Sequence, residues 1–251
     1  KDGIILMTHG TIAHGRMEIM SGLQNMFKER EISTLSITLG LGVSDRKGMY
    51  DCNAPHNHRH ADAIKEIGLW VDWLKKQGAT NITLLGHSRG GSQTSWYASE
   101  NNDPAVKKVV LIAPGTWNLD GEMKSYQKSY KKDLADVIDQ AQALVKQGKP
   151  DAWMEKTDFL YCKETKVTAA TFLSYYNDDA RLNTLNTVDK IKAPVLVFTG
   201  SADNVVKGLR ENIAKMADGK QIQHIDIEGA GHFFRDLHSE DIADYVAEFI
   251  Q

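Results

Sequence analysis

Residues 81–90 read Asn-Ile-Thr-Leu-Leu-Gly-His-Ser-Arg-Gly, an aliphatic run that passes directly into a serine between glycines. The first five residues are typical of a buried strand, and residues 89–100 fit a helix. A serine on such a tight strand-to-helix turn projects its hydroxyl, and the residues two positions away on either side must be small. Gly86 and Gly90 meet that need, so the stretch predicts a nucleophile at Ser88. The alternative is a glycine-rich turn with an idle serine.

Five further apolar runs predict the other strands of a sheet. Continuous apolar runs suit strands covered on both faces, which is the environment of a parallel sheet. Helical periodicity fills most intervals, and this alternation predicts an α/β fold with a doubly wound, mostly parallel sheet. The predicted strands are Gly3–Thr8, Ile32–Leu39, Asn81–Leu85, Lys108–Ala113, Pro194–Thr199 and Gln221–Ile227. The predicted helices are Met17–Arg30, His60–Lys76, Arg89–Glu100 and Ser239–Ile250.

Composition and charge exclude several classes of protein. The 251 residues include 30 basic and 33 acidic ones, and the net charge of −3 argues against a nucleic-acid binder. Hydrophobic residues make up 41% and charged residues 25%, as in a folded globular protein. No apolar stretch approaches the roughly 20 residues that cross a bilayer. The chain starts at Lys1 without a signal-peptide pattern, as a processed or trimmed protein would.

The interval from Thr116 to Ala193 interrupts the alternation of strands and helices. It contains no predicted strand, one clear amphipathic helix from Leu134 to Val145, and almost half of the aromatic residues. A plain helical insertion is one interpretation, and a helical lid over the cleft at the carboxyl ends of the strands is the favoured one. The predicted division is a core of residues 1–115 and 194–251 and a helical cap of residues 116–193.

A serine hydroxyl is a weak nucleophile at neutral pH, so it needs a base and a group that orients the base. The candidate base is His232, in the Gly-Ala-Gly-His loop after the last predicted strand. The candidate acid is Asp203, just past the fifth strand, with Asp120 beyond the fourth strand as its competitor. Because the carboxyl ends of parallel strands share one edge, Ser88, Asp203 and His232 are expected to meet there.

From residue 3 onward, the chain resembles the α/β-hydrolase superfamily. The resemblance rests on the serine turn, the acid loop and the histidine loop, which follow one another in this order. The resemblance implies a serine hydrolase with an oxyanion hole made by the backbone N–H groups of Arg89 and Thr11. Thr11 lies in a Thr-His-Gly-Thr loop after the first strand, which resembles the oxyanion loop of the family. The chain departs from the family by opening on this strand, without the usual antiparallel strand pair before it.

Four further residues are candidates for the substrate-binding surface: His9, Gly10, His87 and Trp117. Gly10 lets the backbone turn close to the substrate. For His9, a structural hydrogen bond that shapes the loop is a better interpretation than catalysis, and His87 is interpreted as packing or loop support.

His56, His58 and His60 alternate along one segment, and three imidazoles are able to bind zinc. No cysteine or carboxylate stands at a convincing spacing, so solvated or cleft-lining histidines are the favoured interpretation and no metal is predicted. Cys52 and Cys162 are the only cysteines. A disulfide that tethers the cap to the core and two separate buried thiols both remain open. If the bond forms, a periplasmic location is favoured over a cytoplasmic one.

The expected activity is hydrolysis of a carboxylic ester of a small or medium-sized acid through an acyl-enzyme, without a metal or organic cofactor. Alternatives on the same residues are thioester, amide, lactone or carbon–carbon bond hydrolysis. A non-catalytic small-molecule-binding protein of this fold is a further alternative. An arginine such as Arg89 pointing into the cleft would favour an anionic substrate, although solvation at the surface is the default. The expected partner is a small-molecule ester.

Overall fold

The apolar runs of the sequence form the strands of one parallel sheet in the computed structural model, which describes residues 3–251. The strands of this sheet are β1 (Gly3–Thr8), β2 (Ser33–Ile37), β3 (Asn81–His87), β4 (Val106–Ile112), β7 (Val195–Gly200) and β8 (Ile222–Ile227). Two further strands, β5 (Trp153–Phe159) and β6 (Cys162–Thr168), lie outside it. The helices are α1 (Glu18–Glu29), α2 (Asp62–Lys76), α3 (Arg89–Glu100), α4 (Leu119–Tyr130), α5 (Leu134–Lys146), α6 (Ala169–Tyr176), α7 (Leu209–Met216) and α8 (Leu237–Phe249). Within this part of the chain, no helix is both long and apolar enough to cross a bilayer.

The main sheet has the strand order β2-β1-β3-β4-β7-β8, and each neighbouring pair is parallel. Alternate residues of each strand enter different cores, as the pleat requires. In β3, Leu84 belongs to the core cluster that includes residues of α2 and α7, whereas Leu85 belongs to the cluster that includes residues of α1 and α8. Helices therefore cover both faces, and the predicted doubly wound parallel sheet is confirmed.

The interval from Thr116 to Ala193 differs from its prediction, because the expectation that it contains no strand is wrong. β5 and β6 pair as an antiparallel hairpin beside α4, α5 and α6. The hairpin sequence carries many charged residues because one of its faces is exposed, so it lacks the apolar runs that identify the buried strands. Most of the aromatic residues here form the insertion's own core, which includes Tyr126, Phe159, Phe172 and Tyr176.

The division into a core and a cap at residues 116–193 stays a prediction, and residues 1 and 2 of the predicted core lie outside the described residues.

The β5–β6 hairpin is joined to the loop before α2 by a disulfide and by backbone hydrogen bonds. Cys52 and Cys162 form a disulfide, so they are not two separate thiols. The His56 backbone N–H donates to Lys166, and the Thr168 N–H donates back to His56.

Loss of this disulfide is expected to lower the free energy of unfolding by about 2–4 kcal/mol, because the bond closes a long loop in the unfolded chain. The two cysteines are 110 positions apart. The test compares urea unfolding of the wild type with that of the Cys52→Ala, Cys162→Ala double variant. The wild type under reducing conditions is the matched control and should unfold at the same urea concentration as the variant. An unchanged unfolding midpoint in both would contradict the prediction.

Candidate active site

Ser88 occupies the sharp turn between β3 and α3, with φ of 56° and ψ of −126°. This left-handed conformation is strained for a residue with a side chain, and it turns the hydroxyl away from the sheet. The flanking glycines make the turn possible. A Cβ atom on Gly90 would lie 2.1 Å from the His9 carbonyl oxygen, and one on Gly86 would lie 2.4 Å from the Gly90 carbonyl oxygen. The close packing of this turn against the loop after β1 thus requires Gly90, and its close packing against the first turn of α3 requires Gly86.

One chain of hydrogen-bonding contacts joins Ser88, His232 and Asp203. The His232 Nε2 atom lies 3.0 Å from the Ser88 Oγ atom, and its Nδ1 atom lies 2.8 Å from an Asp203 carboxylate oxygen. The structure therefore brings together the three residues that the sequence singled out on separate loops. Asp120, the competing acid, lies instead in the first turn of α4.

The Asp203 carboxylate is held in its charged form. Burial alone would raise the pKa of Asp203, but the contact with His232 and two backbone N–H groups outweigh this effect and lower the pKa. These N–H groups belong to Val205 and Val206, at 2.7 Å and 3.3 Å from one carboxylate oxygen. An ionised carboxylate at Nδ1 favours the tautomer in which Nε2 is free to accept the serine proton.

His87 and His9 shape the loops around the serine. The His87 Nε2 atom lies 2.9 Å from the His232 carbonyl oxygen, and burial lowers the pKa of His87 to about 4. The His9 Nε2 atom accepts the Leu39 N–H at 3.0 Å, and its Nδ1 atom lies 2.8 Å from the Gly10 carbonyl oxygen. Burial lowers the pKa of His9 to about 3. Both imidazoles are therefore neutral at physiological pH.

The two residues expected to form an oxyanion hole, Arg89 and Thr11, lie beside the serine turn. Arg89 is the first residue of α3, where the N–H group has no acceptor within the helix. Thr11 follows Gly10, and a Cβ atom on Gly10 would lie 3.2 Å from the Ser88 Cβ atom. The Arg89 Nε–H donates to the Thr11 Oγ1 atom at 3.0 Å, which ties the two loops together. The oxyanion hole at the Thr11 and Arg89 N–H groups stays a prediction.

A small cavity of about 10 Å³, room for about one water molecule, lies beside Gly10, Thr11 and Arg89. Its further walls include Leu160 and Tyr175, which come from the insertion and were not identified from the sequence. Their only sequence signal was the richness of the insertion in aromatic residues. Trp117 lies elsewhere, in a buried cluster with Trp96 and Leu182.

His56, His58 and His60 were expected to be solvated or to line the cleft. All three are buried, so they are not solvated, and none of them lines the cavity beside Arg89. The His58 Nδ1 atom lies 2.8 Å from the hydroxyl oxygen of Tyr175, His56 contacts His58, and His60 stacks on Trp96. Burial lowers the pKa of His56 to about 4 and that of His58 to about 3. The sequence did not reveal this burial because the insertion that covers the segment lies about a hundred residues away. Across residues 3–251, no three His, Cys, Asp or Glu side chains converge to hold a metal ion.

The chain is similar in sequence to known hydrolases. Residues 5–248 match the sequence model of the alpha/beta hydrolase family. A Mycoplasma pneumoniae protein, provisionally named esterase/lipase 3, is 36% identical over 93 residues. That stretch covers 33% of this chain and 34% of the relative, so the match spans only about a third of the relative's length.

Solved structures share the fold at low sequence identity. Est1E from Butyrivibrio proteoclasticus, solved with ferulic acid bound, superposes with a TM-score of 0.68 at 20% identity, covering 100% of this chain and 88% of that one. A monoacylglycerol lipase from Paleococcus ferrophilus gives a TM-score of 0.63 at 18% identity, covering 98% and 93%. An esterase from Pyrococcus furiosus gives 0.63 at 16% identity, covering 100% and 81%.

Proposed function

The chain belongs to the alpha/beta hydrolase family, and we propose that it is a serine hydrolase that cleaves carboxylic esters of small or medium-sized acids. The observation that carries this proposal is the contact chain from Ser88 through His232 to Asp203, with distances of 3.0 Å and 2.8 Å. A nucleophile, a base and a group that orients the base are the parts that acyl transfer needs. The similarity to proteins named as esterases and lipases supports an ester as the substrate.

In the first half of the proposed reaction, the Ser88 oxygen attacks the ester carbonyl carbon while His232 Nε2 takes the hydroxyl proton. Asp203 stabilises the imidazolium that results. The N–H groups of Thr11 and Arg89 donate hydrogen bonds to the oxyanion of the tetrahedral intermediate. As the intermediate collapses, His232 gives its proton to the leaving alkoxide, so that an alcohol departs and an acyl-enzyme remains.

In the second half, water attacks the acyl-enzyme carbonyl carbon and His232 takes a proton from that water. The second tetrahedral intermediate collapses, the bond to Ser88 breaks, and His232 returns the proton to the serine oxygen. The free acid then leaves. Each step uses only groups of this chain, the ester and water, so the proposal includes no metal or organic cofactor.

The disulfide between Cys52 and Cys162 supports a location in an oxidising compartment such as the periplasm, because glutathione and thioredoxin keep most cytosolic thiols reduced. Thiol titration of the unfolded protein, purified from its native source under alkylating conditions, tests this location. A bonded pair supports it, and two free thiols contradict it.

Labelling with a fluorophosphonate probe tests the assignment of the nucleophile. We expect the native protein to react at Ser88 alone, identified by peptide mapping, because only an activated serine attacks the probe quickly. Heat-denatured protein is the control and should remain unlabelled. An ester, a thioester, a lactone and an amide of the same acid then establish which bond is cleaved. A native protein that does not react, or reacts at another residue, would contradict the proposed function.

A further inference from the structure

The Arg89 side chain contacts the loop after β1, from which the second oxyanion donor is expected. Its Nε–H donates to the Thr11 Oγ1 atom at 3.0 Å. Its guanidinium also lies over the Tyr175 ring of α6, 5.3 Å from the ring centroid. Among the ion pairs within residues 3–251, none includes Arg89. The side chain is therefore held by a hydroxyl group and an aromatic ring, and not by a carboxylate.

The loop that carries Thr11 is strained. Ile12 has a φ of 45°, a left-handed conformation that is costly for a β-branched residue and persists only where the surroundings hold it. The Gly10 carbonyl oxygen lies 2.8 Å from the His9 Nδ1 atom. The Ile12 carbonyl oxygen accepts the Tyr50 N–H at 2.9 Å. Thr11 lies between these two anchored carbonyl groups, and a contact at its side chain completes the restraint of the loop.

The contact between Arg89 and Thr11 bridges two segments that follow different strands. Thr11 follows β1, whereas Arg89 follows β3 and begins α3. An oxyanion hole works only when both donors point at one oxygen atom, so the spacing between the two segments matters. A misplacement of about 1 Å in a catalytic group can cost about a hundredfold in rate. A hydrogen bond between the side chains of the two donor residues is well placed to fix that spacing.

We propose that the Arg89 side chain is a positioning residue for the oxyanion hole, and that its hydrogen bond to Thr11 sets the distance between the N–H groups of these two residues. The inference rests on the proposed function and adds to it a side chain that acts through the loop after β1. In this role the N–H donor at Nε is what counts. The positive charge of the guanidinium is not required.

The experiment measures the labelling of Ser88 by a fluorophosphonate probe over a range of probe concentrations, which gives a maximal rate constant, kinact, and a half-saturation concentration, KI. Attack on phosphorus places negative charge on an oxygen, so kinact depends on the oxyanion hole. Thr11→Val removes the acceptor and keeps the side-chain shape. We expect it to lower kinact by about tenfold or more and to leave KI nearly unchanged. Thr11→Ser keeps the hydroxyl and should label at a rate close to that of the wild type.

Arg89→Gln and Arg89→Met separate the hydrogen bond from the charge. The glutamine side chain carries its N–H donor at the same number of bonds from Cα as the arginine Nε atom, whereas methionine has a methyl group there. Arg89→Met should lower kinact as much as Thr11→Val does. Arg89→Gln should stay close to the wild type although its charge is lost. Equal losses in the two Arg89 variants would assign the effect to the charge and overturn the inference.

The double variant Thr11→Val, Arg89→Met tests whether both substitutions act on one contact. Because they remove the same hydrogen bond, the double variant should be no slower than the slower single variant. Losses that multiply would show two independent effects and overturn the inference. The matched control is Thr34→Val on the edge strand β2, where the Thr34 hydroxyl accepts the Gln24 Nε2–H at 3.0 Å. It removes a contact of the same kind and should leave kinact unchanged.

Thermal unfolding establishes that each variant is folded. If Thr11→Val does not fold, the comparison of Arg89→Met with Arg89→Gln decides the question. A folded Thr11→Val protein that labels at the wild-type rate overturns the positioning role alone and leaves Ser88 as the nucleophile. A wild type that is not labelled overturns the proposed function, and the positioning role falls with it.

Discussion

Ser88→Ala is expected to lower kcat by about 10⁴-fold or more on any ester that the wild type hydrolyses. In the proposed reaction the serine oxygen forms the acyl-enzyme, and alanine has no atom that can take its place. The remaining rate would come from the N–H groups of Thr11 and Arg89 acting on an attacking water. KM should change far less than kcat, because the substitution removes one hydroxyl and leaves the rest of the site in place. Steady-state kinetics on the wild type and the variant measure both constants.

The control for this variant is Ser125→Ala, which removes an exposed serine hydroxyl from α4. It should match the wild type in rate. Thermal unfolding of Ser88→Ala should also match the wild type, since the substitution removes one oxygen and keeps the backbone. A folded Ser88→Ala protein that retains more than about a tenth of the wild-type kcat would show that another group attacks the ester.

The main sheet was predictable because its strands are buried on both faces. β3 illustrates the reason: Leu84 and Leu85 point to opposite faces, and each enters a hydrophobic core. A strand in this position must be apolar throughout, and such runs are recognisable without any partner strand. The β5–β6 hairpin is different, since charged residues such as Glu155 and Lys156 occupy its exposed positions. Its pairing depends on packing against α5 and α6, which local sequence does not encode.

The meeting of Ser88, Asp203 and His232 was predictable from the topology of the sheet. Each follows the carboxyl end of a parallel strand, so their loops converge whatever the distance along the chain. The residues that line the cavity were not predictable. Leu160 and Tyr175 reach it only because the insertion packs on the core. The same packing buries His58 against Tyr175 and lowers the pKa of His58. A segment that looks polar and solvated in the sequence is thereby part of the interior.

Asp203→Asn is expected to lower kcat by about 10³–10⁴-fold while leaving KM within a few-fold of the wild type. The carboxylate accepts a hydrogen bond from Nδ1–H of His232, which leaves Nε2 free to take the Ser88 proton. An asparagine can present its NH₂ group at that position instead, and the imidazole then carries its proton on Nε2. In that tautomer His232 is unable to act as a base toward the serine.

The matched control is Asp120→Asn, which makes the same chemical change at the exposed competing acid and should leave kcat unchanged. Asp203→Asn should stay folded, because the amide oxygen can still accept from the Val205 and Val206 N–H groups. Its circular dichroism spectrum should therefore match that of the wild type. Slow fluorophosphonate labelling of this folded variant would locate the defect in the activation of the serine. A tenfold or smaller loss of kcat would show that Asp203 does not orient the base, and an equal loss in Asp120→Asn would assign that role to Asp120.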